Sequence, residues 1–372
     1  MEERLAESAE SQERLRVCFF IPEFDYGGAQ KQCILLLNEL QRRDDVELML
    51  VRFRSGPQDH LLRTDRLRTE YVGIRSNFDP RAITAVRRLA MDFQADVIMS
   101  WIRVADVYSY FVRLLNPEVK WVMTQRNSTP AASWLRRVRD GLGTRADAIA
   151  ANSPGGVQWW KSKRARGSVY LVDNIADSRR STPTQRSARS LLYVGRLEPQ
   201  KNVLTMVRAF VAIVRQQPEV KIYICGDGTL RAEMETITAE AGVGGRIEFL
   251  GFRADATEWM TRCEVLVSLS DYEGMPNVLM EGVQAGCRIV ASSIDEHVEL
   301  LGPKYPFLVR DHHDADAVVA VLSQALASPA NSDDLAHAQQ RLARMEPAAV
   351  AARYMDIFRA AVRGNPTTAP SD

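Results

Sequence analysis

The run SLLYVGRLEPQKNVLTMVRAF, residues 190–210, decides the fold class. Its first five residues, Ser-Leu-Leu-Tyr-Val, form a short apolar segment of strand length. Gly195 opens a turn, and residues 202–210 repeat their apolar members with a period near 3.6. A strand, a glycine turn and a helix in that order form one step of a βα series. Arg196 and Lys201 then lie on the loop at the carboxyl end of a strand, which is where open α/β sheets bind ligands. An Arg fork and a Lys point charge at that place suit the charge growing on a departing diphosphate.

The same alternation extends in both directions. Strand-like runs at 16–22, 47–53, 97–100, 120–124 and 148–151 are each followed by a helix-compatible run or loop, and the spacing predicts one parallel sheet. Runs at 190–194, 221–225, 246–250, 265–269 and 288–291 predict a second. Between them the composition shifts to Ser, Thr, Pro and Arg, so residues 177–189 read as a linker. The chain therefore divides into a first domain at 1–176, the linker, and a second domain at 190–345. A closing helix at 346–364 places Tyr354, Ile357, Phe358 and Ala361 on one face. The tail at 365–372, rich in Pro, Thr and Ala, reads as disordered. No internal sequence repeat is present.

A second motif follows the fourth strand of the second series: Glu273-Gly-Met-Pro-Asn-Val-Leu-Met-Glu281. Pro276 fits a first helical turn, with Val278, Leu279, Met280 and Val283 as the apolar face behind it. A helix starting near Met275 to Asn277 presents free backbone N–H groups and a positive dipole end to an anion, and Gly274 lets the chain approach closely. Glu273 sits in the loop before that helix, where a carboxylate reaches sugar hydroxyls. Glu281 lies more than a turn inside, placed to accept from vicinal ribose hydroxyls. Near the amino terminus, Gly27-Gly28 follows a strand and opens an apolar-periodic helix, which favours a phosphate-facing loop over plain turn chemistry. For Gly226 and Gly228 the turn-only reading is preferred.

In their order and separations these segments resemble a retaining glycosyltransferase of family 4. The segments are Gly27-Gly28-Ala-Gln30, Asn152-Ser153, Asn174-Ile-Ala-Asp177, the Gly195-Arg-Leu loop with Lys201-Asn202, Cys225-Gly-Asp-Gly228, Leu250-Gly-Phe-Arg253 and the spaced glutamates. The resemblance covers most of the chain and implies the α/β GT-B architecture: two Rossmann-like, doubly wound domains facing across a cleft, with the closing helix crossing back to the first. It implies that Arg196 and Lys201 bind the donor's phosphates and that Glu281 binds ribose. It also has Glu273 contact the donor sugar and Gly28 approach the diphosphate. Gly251 and Phe252 would meet the base through backbone atoms, and Gly274, Met275, Pro276 and Asn277 complete the donor-binding set. UDP is favoured over GDP as the nucleotide. Retention is explained by front-face attack, in which the leaving phosphate oxygen takes the acceptor's proton, with Arg196, Lys201 and the helix start in place of a metal ion.

Where many members of that family carry a His near the donor sugar, this chain reads Gln125-Arg126-Asn127-Ser128. Members with an Arg-Asn pair here include enzymes resembling builders of polyprenyl-linked glycans and surface polysaccharides. Arg126 and Asn127 are therefore candidates for the acceptor or sugar region, and a loop Arg paired with an acid is the plainer alternative. His297 reads as a surface or packing residue rather than a catalyst.

The chain has 372 residues, 46% of them apolar, with a formal net charge of +1. That length suits two domains and that apolar share a sizeable core, while the charge gives no drive toward nucleic acid. Cys18, Cys33, Cys225, Cys263 and Cys287 have no metal-binding spacing, so neither a metal nor a cofactor is expected, and reduced thiols point to a cytoplasmic setting. Residues 1–14 lack the apolar core of a signal peptide, and no apolar run is long enough to span a membrane. An anionic membrane surface is nonetheless a possible partner on the cytoplasmic face. On a helix, Trp134, Leu135, Val138 and Leu142 share a face flanked by Arg136, Arg137 and Arg139, and Trp159-Trp160 stand beside Lys161, Lys163, Arg164 and Arg166. The acceptor reading is a glycan or polyprenyl-linked hydroxyl, with a soluble small-molecule acceptor as the alternative. Two other classes stay in view: a dinucleotide oxidoreductase, against which stands the missing G-x-G-x-x-G, and a non-catalytic nucleotide-binding Rossmann protein.

Overall fold

The computed structural model describes residues 14–76, 79–126, 134–176, 186–329 and 332–364. Two compact units divide the chain: residues 1–175 with 347–372, and residues 176–346.

The first unit is built on seven parallel strands: β1 (Leu15–Phe20), β2 (Val46–Arg52), β3 (Leu67–Tyr71), β4 (Val97–Ser100), β5 (Lys120–Gln125), β6 (Ala148–Ala151) and β7 (Ser168–Leu171). Their spatial order is β3-β2-β1-β4-β5-β6-β7. From Val17 to Phe20 strand β1 reads as one unbroken apolar run because both faces of a parallel sheet are covered. Alternation splits that run in two. Val17 and Phe19 enter one core with the helix Gly28–Leu40, while Cys18 and Phe20 enter a second core on the opposite face. The helix Pro347–Arg363 returns to the first of these cores, with Tyr354, Ile357, Phe358 and Ala361 all buried. Phe358 meets Phe19 of β1 edge-on, with ring centroids 6.3 Å apart. Burying one such aromatic side chain contributes roughly 1.5–3 kcal/mol.

The second unit repeats the architecture with six parallel strands: β8 (Ser187–Val194), β9 (Lys221–Cys225), β10 (Ile247–Gly251), β11 (Cys263–Ser268), β12 (Arg288–Ser292) and β13 (Leu308–Val309). The order is β10-β9-β8-β11-β12-β13, the 3-2-1-4-5-6 sequence of a Rossmann sheet. Strand β8 begins three residues before the expected Ser190. Strands β3, β7 and β13 are not among the runs read from the sequence, and all three are sheet edges. An edge strand has a neighbour on one side only, so its sequence need not be continuously apolar. Leu-Arg-Thr-Glu-Tyr in β3 and the two-residue β13 illustrate this.

The helix Trp134–Gly143 corrects the membrane-facing pattern. Arg136 and Arg139 are buried, not flanking an outer apolar face, while Val138 is 43% exposed. The Arg139 guanidinium donates to the Asp106 carboxylate at 2.8 Å, to Gln125 Oε1 at 2.6 Å and to the Thr124 carbonyl at 2.7 Å. Arg136 lies within 3.9 Å of Asp140. Trp160 is likewise fully buried, and its Nε1 points to Gln125 Oε1 at 3.3 Å. Among the described side chains of that set, Arg137, Val138, Lys161, Lys163, Arg164 and Arg166 face outward. The structure describes no side chain for Trp134 or Leu135, and residues 365–372 and 177–185 also lie outside the described residues. No helix among the described residues is long and apolar enough to cross a membrane.

Burial pushes the Asp106 carboxyl above its ordinary range, opposed by Arg139 and by the Ser100 hydroxyl, which donates to it at 2.6 Å. Removing the cation strands that carboxyl. Arg139→Met is expected to lower unfolding free energy by about 3–5 kcal/mol, and Asp106→Asn with Arg139→Met to restore part of it. Urea unfolding of the two variants measures both, and an unchanged midpoint for Arg139→Met refutes the assignment.

Candidate active site

In an open parallel sheet the ligand-binding crevice lies at the carboxyl ends of the strands where the order reverses. In the second unit that switch point falls between β8 and β11, which pair directly. The loop after β8 carries Arg196 and Lys201, and the loop after β11 carries Glu273. At their meeting point Lys201 Nζ donates to Glu273 Oε1 at 2.5 Å. Both side chains are mostly buried, at 18% and 13% exposure. Burial alone would raise the Glu273 pKa, but the Lys201 charge and hydrogen bond outweigh it, and the carboxyl titrates below its usual range. The pair is thus an anchored carboxylate and a cation at the β8/β11 switch point.

Further hydrogen bonds fix the two loops against each other. Gln200 Nε2 donates to the Tyr272 carbonyl at 2.8 Å, and the Asp271 N–H donates back to the Gln200 carbonyl at 2.9 Å. Tyr193, buried in β8, donates its hydroxyl to the Arg196 carbonyl at 2.8 Å. Glu198 accepts from Thr229 Oγ1 at 2.9 Å. Gly226 is more than a turn residue. It has φ +151° and packs so closely that a Cβ would stand 1.8 Å from the Gly195 carbonyl oxygen. Any larger residue at 226 would push the Arg196 loop away. Arg196 itself is exposed, within 3.5 Å of Gln200 Oε1.

The helix Asn277–Gln284 starts where the sequence places it, with Pro276 at the capping position. Gly274, Met275 and Pro276 are buried, Asn277 partly so. Gly282 packs the helix directly on β11, since a Cβ there would lie 2.4 Å from Leu266 Cδ2. Glu281, one residue earlier, stays half-buried. Gly251 closes β10 with φ +66°, and Phe252 after it is 48% exposed.

His297 is a packing residue, not a surface one. It is wholly buried. Its Nδ1 lies 2.9 Å from the Ser292 carbonyl, so that nitrogen carries the proton. Nε2 has no hydrogen-bond partner among the described residues. Burial holds its pKa down to about 4, against the pull of the Glu273 charge. Nothing in Asp295-Glu296-His297 announces this, because burial comes from packing of the helix Asp295–Leu301.

In the first unit, Gly28 begins the helix Gly28–Leu40 after β1 and is exposed. Trp101 after β4 donates Nε1 to the Ala29 carbonyl at 2.7 Å, across that sheet's own switch point. Arg126 lies over the Trp101 ring at 3.9 Å and donates to Asn174 Oδ1 at 2.8 Å and to Tyr354 Oη at 2.6 Å. Its described partners are an amide, a phenol and an indole, not an acid. Asn127 lies outside the described residues.

Residues 174–342 match the family described as Glycosyl transferases group 1. The second unit is a glycosyltransferase group 1 domain. Over 308 residues, 81% of this chain and 86% of the relative, the chain is 22% identical to the lipopolysaccharide core biosynthesis glycosyltransferase LpsE of Rhizobium meliloti. It is 23% identical over 316 residues, 81% of this chain and 83% of the relative, to the GalNAc-α-(1→4)-GalNAc-α-(1→3)-diNAcBac-PP-undecaprenol α-1,4-N-acetyl-D-galactosaminyltransferase of Campylobacter jejuni. Among solved structures, Anabaena HepE in complex with UDP-glucose superposes with a TM-score of 0.80 at 18% identity, covering 93% of this chain and all of that one. Sucrose-phosphate synthase of Thermosynechococcus elongatus gives 0.75 at 18% identity, covering 93% and 98%. These likenesses show the fold, two Rossmann-like α/β units of the GT-B class.

The buried histidine gives the protein a pH signature. Its folded pKa near 4 lies below the unfolded 6.5, so the unfolded chain binds the extra proton between those values. The neutral ring's contribution is present above pH 6.5 and is lost as pH falls toward 4, by roughly 2–3 kcal/mol. His297→Gln is expected to flatten the unfolding free energy across that window. An unchanged slope in urea unfolding at several pH values counts against it.

Proposed function

We propose that the protein is a retaining family 4 glycosyltransferase that moves a sugar from UDP to a hydroxyl of a glycan or lipid-linked acceptor in surface-polysaccharide assembly. The observation that carries this reading is the Lys201–Glu273 pair at the β8/β11 switch point. Beside it lie the exposed Arg196 and a helix of eight residues with Glu281 in its second turn. The UDP donor draws support from HepE, whose structures hold UDP and UDP-glucose. The lipid-linked acceptor draws support from the Campylobacter relative, whose name specifies an undecaprenol-linked glycan.

In this reading Arg196, Lys201 and the amide end of the helix Asn277–Gln284 neutralise the diphosphate, and Glu281 holds the ribose hydroxyls. Glu273, kept ionised by Lys201, accepts from hydroxyls of the donor sugar. The bond from sugar C1 to the β-phosphate oxygen breaks while the acceptor oxygen bonds to C1 on the same face. The acceptor's proton passes to the departing phosphate oxygen, so no separate base is needed. Charge balance comes from the protein's own cations, and turnover is expected to survive a chelator.

Two measurements test the assignment. Glu281→Ala is expected to weaken UDP binding by about 1.5–3 kcal/mol while the melting midpoint without ligand holds. Calorimetric titration with UDP, GDP and ADP reads this and ranks the bases, and unchanged UDP affinity removes Glu281 from the ribose. Lys201→Ala is expected to depress kcat more than it raises the donor KM, because its partner charge grows only as the bond breaks. An effect on KM alone would assign Lys201 to ground-state binding. Assays with a polyprenyl-diphosphate glycan and with a soluble glycan separate the two acceptor classes, and turnover with the soluble one alone excludes the lipid-linked reading.

A further inference from the structure

Three potential metal ligands converge beside the Lys201–Glu273 pair without belonging to it. Asp271 stands two residues before Glu273 on the loop after β11. His312 and His313 occupy the loop between β13 and the helix Ala315–Ala327. His312 Nε2 lies 3.2 Å from Asp271 Oδ1, and His313 Nε2 lies 3.2 Å from the same oxygen. All three ligand atoms fall within 4.8 Å of one another. An ion bound tetrahedrally at about 2.0–2.1 Å from each ligand separates its ligand atoms by roughly 3.3 Å, so the two measured edges already have the span of a filled site.

The surroundings hold these groups in place. Asn202 Nδ2 donates to the His312 carbonyl at 2.6 Å, and the Asp271 N–H is fixed on the Gln200 carbonyl at 2.9 Å. The two imidazoles lie with centroids 4.5 Å apart and planes 36° from parallel, both turned to one carboxylate. His312 is largely covered and His313 is 63% exposed, so an ion can enter from solvent. Two imidazoles and one carboxylate form a borderline set that favours zinc, cobalt or nickel over the hard cations magnesium and calcium.

We propose that Asp271, His312 and His313 bind a single divalent cation of the zinc class, leaving one coordination position open to water. The ion ties the loop after β13 to the loop after β11, and through Asp271 and Gln200 to the loop that carries Lys201. It is a clamp on the walls of the site, not a participant in sugar transfer, and the proposal does not depend on the donor or acceptor assigned above.

The full chain, stripped with a chelator and dialysed, is titrated with zinc chloride against a chromophoric competitor at about pH 7.5. One equivalent is expected to bind and to raise the melting midpoint. Cobalt chloride is expected to give the intense visible bands of a tetrahedral site. His313→Ala and Asp271→Asn each weaken zinc binding by roughly tenfold or more, whereas His60→Ala, an exposed histidine of the first unit, leaves it unchanged. Because His313 is mostly exposed, its variant keeps the metal-free melting midpoint, which separates lost ligation from lost folding. No stoichiometric binding by the parent overturns the proposal. So does equal affinity in His313→Ala and Asp271→Asn, which would leave the histidines as hydrogen-bond donors to Asp271.

Discussion

The adjacency of β8 and β11 is the constraint from which the candidate site follows. Parallel strands cannot be joined by a tight turn, so the chain winds outward through β9 and β10, returns to the middle, and continues through β12 and β13. The reversal leaves two loops, from residues some seventy positions apart, at one end of two paired strands. Lys201 meets Glu273 for that reason alone. The two hydrogen bonds between Gln200 and the Asp271–Tyr272 backbone turn a topological accident into a fixed geometry.

Holding backbone that close requires residues with no side chain in the way. At Gly226 the carbonyl of Gly195 occupies the space of a Cβ, and at Gly282 the side chain of Leu266 does. One glycine seats the loop carrying Arg196, and the other seats the helix carrying Glu281 on the strand beneath. Each of these two candidate side chains is thus positioned by a neighbour whose contribution is the absence of atoms.

Buried polar groups mark both units, and each has a distinct compensation. Asp106 in the first unit is offset by Arg139, whose guanidinium also satisfies Gln125 and Thr124. Arg126 is held by an aromatic face and two neutral oxygens. His297 in the second unit solves the same problem by remaining neutral, its proton on the nitrogen that has an acceptor. Uncompensated charge in these interiors costs several kcal/mol, which is why a chain with 48 basic residues turns some of them inward only where an acceptor waits.

Periodicity along the sequence determined the α/β class and the two parallel sheets, because a strand covered on both faces must be apolar throughout, as in residues 190–194. Glycine, proline and helix-start chemistry located the helix at Asn277. Edge strands β3, β7 and β13 escaped that logic, since an uncovered edge relaxes the apolar requirement. The direction of Arg136 and Arg139 was also illegible, because a helix shows which residues share a face but not what that face meets. Sequence named Lys201 and Glu273 separately and gave each a role. Their contact, the burial of His297 and the convergence of Asp271 with His312 and His313 were decided by tertiary structure, since strand order, and not chain distance, determines which loops meet.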